Sequence, residues 1–138
     1  MARIIAIDYG TKRSGLAVTD SLQMIASPLN TVQTEKLLEY LKDYFQREEV
    51  ELILLGDPKK LNNTGSEMTH LTNRFAQKLK HWFPDKPVVR IDERLTSVMA
   101  MQAMTESGQS KKVKNDKGML DRVSAAILLQ QYLASKKI

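Results

Sequence analysis

The stretch from Arg3 to Asp20, RIIAIDYGTKRSGLAVTD, constrains the fold of this chain more than any other. Ile4, Ile5, Ala6 and Ile7 form an unbroken apolar run, which suits a strand covered on both faces, and the run stops at the carboxylate Asp8. Gly10 and Gly15 bracket the polar turn Thr11, Lys12, Arg13, Ser14, after which Leu16, Ala17 and Val18 resume an apolar strand. The pattern predicts a hairpin. A carboxylate that ends a central strand, followed closely by a glycine that admits a bulky anion to the backbone, suits a divalent cation and a phosphate. An acidic turn residue in an ordinary hairpin has the same sequence, so this stretch alone leaves both readings open.

Downstream, Gln23 to Val32 is apolar but broken by Ser27 and Pro28, as in an edge strand, where a missing backbone donor does least harm. Thr34 is placed to cap a helix whose inward side carries Leu37, Leu38, Leu41, Tyr44 and Phe45. Glu51 to Gly56 reads as a buried parallel strand ended by Asp57 and Pro58. Lys59 to Gly65 reads as a loop, with Ser66 capping a helix whose buried face is Leu71, Phe75, Leu79 and Trp82. Val88 to Glu93 is a further short strand, and Thr96 or Ser97 opens a helix toward Gly108. Gln109 to Gly118, with four lysines and no apolar cluster, is expected to be mobile. Met119 to Ser135 reads as a helix with Leu120, Val123, Ile127 and Leu128 inward and with Ser124, Ala125 and Ala126 small enough to pack closely on a sheet. This order predicts an α/β fold in one domain, residues 1–138: a mixed five-stranded sheet, three antiparallel strands then two parallel ones, carrying helices.

Composition narrows what such a domain does. Its 138 residues supply one core and too little chain for two lobes closing over a cleft. Lys plus Arg number 21 against 16 Asp plus Glu, a formal net charge of +5, which leans toward polyanionic partners. With no cysteine and only His70 and His81, thiolate and ordinary zinc sites are excluded, so any metal is held by oxygen. No apolar run reaches membrane-spanning length and the first residues lead directly into a strand, so the expectation is a cytoplasmic protein with no membrane partner.

The carboxylates can then be placed. Parallel strands end at the same edge as the first, which brings Asp92 and Glu93 toward Asp8, and Asp121, expected in the first turn of the last helix, can face that edge. Three acids from distant sequence on one rim are what two-metal phosphodiester hydrolysis requires, because the cation pair clamps the attacking and leaving oxygens. Each acid also has an ordinary structural explanation. Asp121 complements a helix dipole, and Asp92 or Glu93 pairs with Arg90 or Arg94 at the surface.

Together, DYGTKRSGLAV (Asp8 to Val18), GDPKKLNNTGS (Gly56 to Ser66), DERLTS (Asp92 to Ser97) and LDRVSAAILLQQYL (Leu120 to Leu133) resemble the YqgF (RuvX) family in order and spacing. The resemblance implies a ribonuclease H-like fold and a Mg²⁺- or Mn²⁺-dependent nuclease, members being described as Holliday-junction resolvases or as nucleases maturing the 5′ end of pre-16S ribosomal RNA. Carried over by motif, it makes Asp8, Glu93 and Asp121 the catalytic, metal-binding acids, with Asp92 second. One departure stands out: Asp57 occupies a position where the family pattern has an apolar residue, and is either a spare ligand or a solvated turn residue.

Basic residues surround these acids in sequence. Lys12, Arg13, Arg94, Lys111, Lys112, Lys114 and Lys117 would border the rim and neutralise backbone phosphates of RNA or branched DNA, although a lysine-rich loop is also commonly just solvated. Two other classes compete with the nuclease: a nucleic-acid-binding assembly or transcription module with little catalysis, and an actin-like ATPase lobe, which the length disfavours. Neither substrate choice nor the choice between monomer and homodimer is legible in the sequence.

Overall fold

The computed structural model describes residues 2–57, 67–92 and 117–136. Five strands form one sheet: β1 (Arg3–Asp8), β2 (Arg13–Thr19), β3 (Ala26–Gln33), β4 (Val50–Asp57) and β5 (Val88–Asp92), in the spatial order β3-β2-β1-β4-β5. The pairings β1–β2 and β2–β3 are antiparallel, whereas β4 runs parallel to β1 and β5 parallel to β4. Three helices are described: α1 (Leu37–Arg47), α2 (Glu67–Trp82) and α3 (Lys117–Ser135). The expected mixed sheet is therefore present, with β1 at its centre. The residues 93–116, where the fourth helix and most of the lysine-rich segment were expected, lie outside the described residues.

Strand alternation divides the core into two layers. Ile5, Ile7, Leu16, Val18, Ile53 and Leu55 face α1 and α2, where they meet Leu37, Leu41, Phe75 and Leu79. Ile4, Ala6, Ala17 and Leu54 face α3, where they meet Ala125, Ala126, Leu129 and Leu133. Both faces are covered, which explains why β1 and β4 read as unbroken apolar runs. In α3 the buried side is Ser124, Ala125, Ala126, Leu128, Leu129 and Leu133, while Leu120, Val123 and Ile127 are only half-buried. Small residues meet the sheet's own small residues, Ala6 and Ala17, so the helix backbone approaches closely there.

Three local expectations are corrected. Thr34 does not cap α1: residues Thr34–Lys36 form a 3-10 turn, and the cap position, Lys36, makes no side-chain cap bond. The Thr34 hydroxyl instead donates to the Gly10 carbonyl at 2.6 Å and contacts Ser14 Oγ at 2.9 Å, tying the end of β3 to the β1–β2 turn. Trp82 is not on the buried face of α2 but 44% exposed, because the helix ends there and Phe83, at 8%, takes the inward place. Finally, α3 begins at Lys117, so Asp121 falls in its second turn, beyond the reach of the unsatisfied N–H groups that reward an acid in the first.

The β2–β3 connection is built by Asp20, whose carboxylate accepts from the N–H groups of Met24 at 2.8 Å and Ile25 at 2.9 Å. Those two bonds hold its pKa below the usual carboxylate value. Gln23, just before Met24, has φ of 57°, the left-handed conformation the tight turn demands.

Candidate active site

Asp8, Asp57 and Asp92 end three neighbouring strands at one edge of the sheet. Their side chains do not share a face. Asp8 continues the alternation of Ile4 and Ala6, and so belongs to the α3 layer. Asp57 continues that of Ile53 and Leu55, in the layer of α1 and α2, and Asp92, its register partner on β5, shares that layer with Val88 and Arg90.

In the α3 layer, Gly15 brings the elements together. It is the strand partner of Asp8 across the hairpin, and a Cβ built on it would collide with the carbonyl group of Asp121 and come within 2.9 Å of the Arg122 nitrogen. The missing side chain therefore lets the N-terminal part of α3 lie directly on β2, beside the end of β1. Two further bonds seat that part of the helix: Thr31 Oγ1 donates to the Gly118 carbonyl at 2.5 Å, and Arg122 Nη1 donates to Thr31 Oγ1 at 3.3 Å. Asp8 and Asp121, separated by most of the chain, thus converge on one glycine. Arg13, on the same face of β2, joins them, with its Nε 2.5 Å from Asp121 Oδ2.

The other layer holds an ion pair of a different kind. Arg90 Nη2 lies 3.3 Å from Asp57 Oδ1, and Arg90 Nη1 donates to Asn73 Oδ1 of α2 at 2.8 Å. Asp57 thus has an arginine partner on the face away from Asp8. Beside it the Tyr9 ring stacks on Phe75 with centroids 4.7 Å apart, and burial raises the Tyr9 pKa.

Of the expected site residues, Asp8 and Asp121 both lie against Gly15 by their backbones, Arg13 pairs with Asp121, Lys12 is exposed in the adjoining turn, and Asp57 and Asp92 occupy the opposite layer. Glu93, Arg94, Lys111, Lys112 and Lys114 lie outside the described residues, and Lys117 opens α3. Among the described residues no group of three or more acidic or histidine side chains gathers for a metal. The two acids that converge offer carboxylate oxygens, the donors a hard divalent cation takes, and a positive group already lies against one of them. Sequence reasoning read Gly15 as a turn bracket. Its part in seating α3 could have been found by counting the hairpin register back from the turn to Asp8 and noting the small run Ser124 to Ala126.

Comparison with known proteins agrees with this architecture. The RuvX family model, described as Holliday junction resolvase, matches residues 2–135. The chain is 51% identical over 137 residues to a Flavobacterium johnsoniae protein named "Putative pre-16S rRNA nuclease", covering 99% of each. It is 50% identical over 137 residues to a Phocaeicola vulgatus protein of the same name, again covering 99% of each. Among solved structures it is similar to T. thermophilus RuvC in complex with Holliday junction substrate, with a TM-score of 0.60 at 15% identity, over 99% of this chain and 96% of that one. That likeness makes the fold ribonuclease H-like.

Proposed function

The chain belongs to the RuvX family of nucleases, and on that premise we propose that it is a divalent-metal-dependent endonuclease whose substrate is the precursor of 16S ribosomal RNA. The observation that carries the reading is the convergence of Asp8 and Asp121 on Gly15. A close helix-to-strand contact brings the backbones of these two acids to one glycine, which supports their carboxylates acting together as donors to a hard cation. Glu93 completes the set in this proposal, on the strength of the DER motif. The names of the relatives favour the ribosomal substrate.

In this reading Asp8, Glu93 and Asp121 would hold Mg²⁺ or Mn²⁺, which supplies the charge that stabilises the attacking and leaving oxygens of an in-line displacement. The chain's own residues do the rest. Gly15 fixes the spacing between the two acids, and Thr31 and Arg122 hold the first turns of α3 in place. Lys12, in the exposed turn beside Asp8, neutralises a backbone phosphate of the incoming strand. We assign Asp57 to Arg90 rather than to the metal, since that pair sits in the opposite layer.

The test is a single-turnover cleavage assay with Mg²⁺ or Mn²⁺ on precursor ribosomal RNA and, separately, on a four-way DNA junction. Parent protein should cut the RNA at a defined position, while Asp8→Asn, Glu93→Gln and Asp121→Asn should remain folded, bind the RNA and fail to cut it. Cleavage of the junction alone would replace the substrate assignment. Near-normal cleavage by well-folded Asp8→Asn would sink the metal-site assignment.

A further inference from the structure

Helix α2 joins the candidate active-site edge to the opposite end of the molecule. Midway along it, Asn73 accepts from Arg90 beside Asp57, and Phe75 stacks on Tyr9, the residue after Asp8. At its end, Phe83 follows Trp82, and Lys86 donates to the carbonyl of Val50, where β4 begins. The stretch from Asn73 to Trp82 therefore covers roughly 14 Å, from beside the candidate edge to the far one.

The outer face of this helix has a consistent chemistry. His70, Arg74, Lys78 and His81 recur at intervals that place them on one stripe, and all four are exposed. Asn73 and Gln77, also exposed, flank the stripe with amide groups, and the only acid of the helix is Glu67 in the first turn. Helix α1 on the same side of the sheet differs. There Glu39, Lys42, Asp43 and Arg47 alternate in sign, and Asp43 pairs with Arg47 at 3.7 Å, as on an ordinary solvated face.

At the end of the stripe stands the exposed Trp82. Phe83 and Phe45 already supply the aromatic packing there, edge to face with centroids 4.8 Å apart, so the core does not need the indole. Beside it opens a cleft of about 640 Å³ walled by Phe45, Phe83 and Trp82 with Lys42 and Lys86 at its rim. Asp85 also lines this cleft, 3.9 Å from Lys86.

We propose that the outer face of α2 is a second nucleic-acid contact: Arg74 and Lys78 pair with phosphates of a single-stranded extension of the substrate, and an unpaired base stacks on Trp82. The inference rests on the reading that the chain acts on nucleic acid. Three features select this occupant over a protein. The charged pair of the stripe, Arg74 and Lys78, is of one sign and one helical turn apart, which suits neighbouring phosphates of a polyanionic strand, while Glu39 and Asp43 lie on the α1 side of Trp82. The amide flanks can hydrogen-bond to sugars and bases. The stripe ends on the one type of side chain that stacks any base regardless of sequence.

Trp82 is the chain's only tryptophan, so its emission reports on this face directly. The full chain is titrated with an oligouridylate of about 12 nucleotides, within the span that single-strand sites cover. Emission should change saturably. Affinity is followed separately by anisotropy of the labelled oligomer. The Arg74→Ala/Lys78→Ala variant should lower the slope of log affinity against log salt by about 1.4, at about 0.7 for each lost single-strand phosphate contact. Trp82→Ala should weaken binding roughly tenfold, and Trp82→Phe should recover most of that loss. Lys36→Ala, on the turn before α1, serves as the control and should leave both unchanged. Unaltered Trp82 emission at saturation would pass this face to another partner and overturn the proposal, as would an unchanged salt slope in the double variant. If the parent binds RNA and the α2 variants bind it equally, only this inference fails. If the parent binds no nucleic acid, the proposed function fails with it.

Discussion

Arg13 and Asp121 show at the scale of single residues how the site balances its charge. Asp121, proposed above as a cation ligand, is paired with an arginine 2.5 Å away. Arg13 and a bound cation compete for the same carboxylate, so Arg13→Gln should tighten Mn²⁺ binding measured by calorimetry. The same change should cost the metal-free protein at most about 1 kcal/mol, because the pair is partly open to solvent. Asp57 gives the opposite expectation. Its partner Arg90 is largely covered, and Arg90 Nε is buried with no hydrogen-bond partner among the described residues. Asp57→Leu removes a carboxylate from a part-buried guanidinium, and should destabilise the fold by about 1 to 3 kcal/mol in urea denaturation. Metal titration curves should coincide with the parent's; a lowered metal affinity would return Asp57 to the ligand set. The sequence showed Asp57 as an anomaly because its partner lies 33 residues away, on the adjacent strand.

Contacts between elements turn on one glycine and one loop. A methyl group at Gly15 would occupy the space now filled by the Asp121 backbone, and backbone cannot swing aside as a flexible side chain can. Gly15→Ala should therefore displace the start of α3, destabilise the protein by about 1 to 3 kcal/mol, and weaken metal binding together with stability. A variant that loses stability but keeps the parent's metal affinity would contradict this coupling. The β2–β3 loop makes a prediction about pH. The folded-state pKa of Asp20 is lowered by the Ile25 and Met24 N–H groups, so its contribution is fully present above the unfolded carboxylate value and is lost as pH falls through the folded one. The melting-temperature gap between parent and Asp20→Asn should be constant above the usual carboxylate range and close as the solution is acidified below it. A gap that persists in acid would assign the effect to packing.

For the whole molecule, a cation that binds only the folded chain should raise its stability by about 2.7 kcal/mol at a hundred times its dissociation constant. Thermal melts with and without Mg²⁺ should display that gain in the parent and not in Asp8→Asn. Local chemistry determined much of this molecule. The unbroken run Ile4 to Ile7 demanded a strand covered on both faces, Pro28 demanded an edge, and strand–helix alternation demanded a parallel half, so the mixed sheet and the position of Asp8 at a strand end were legible from residues alone. Faces and partners were not. One residue of register decides whether Asp8 and Asp57 look the same way, and they do not, because β4 pairs with β1 so that Leu55, not Gly56, stands beside Ile7. Trp82 has the spacing of a core residue, yet the helix ends beneath it, and only the packing of Phe83 leaves it outside. Composition and periodicity act within a few residues of the chain. The meeting of Asp8, Gly15 and Asp121 depends on strand register and on how closely a helix of small residues can approach a sheet, and those are decided when the layers pack.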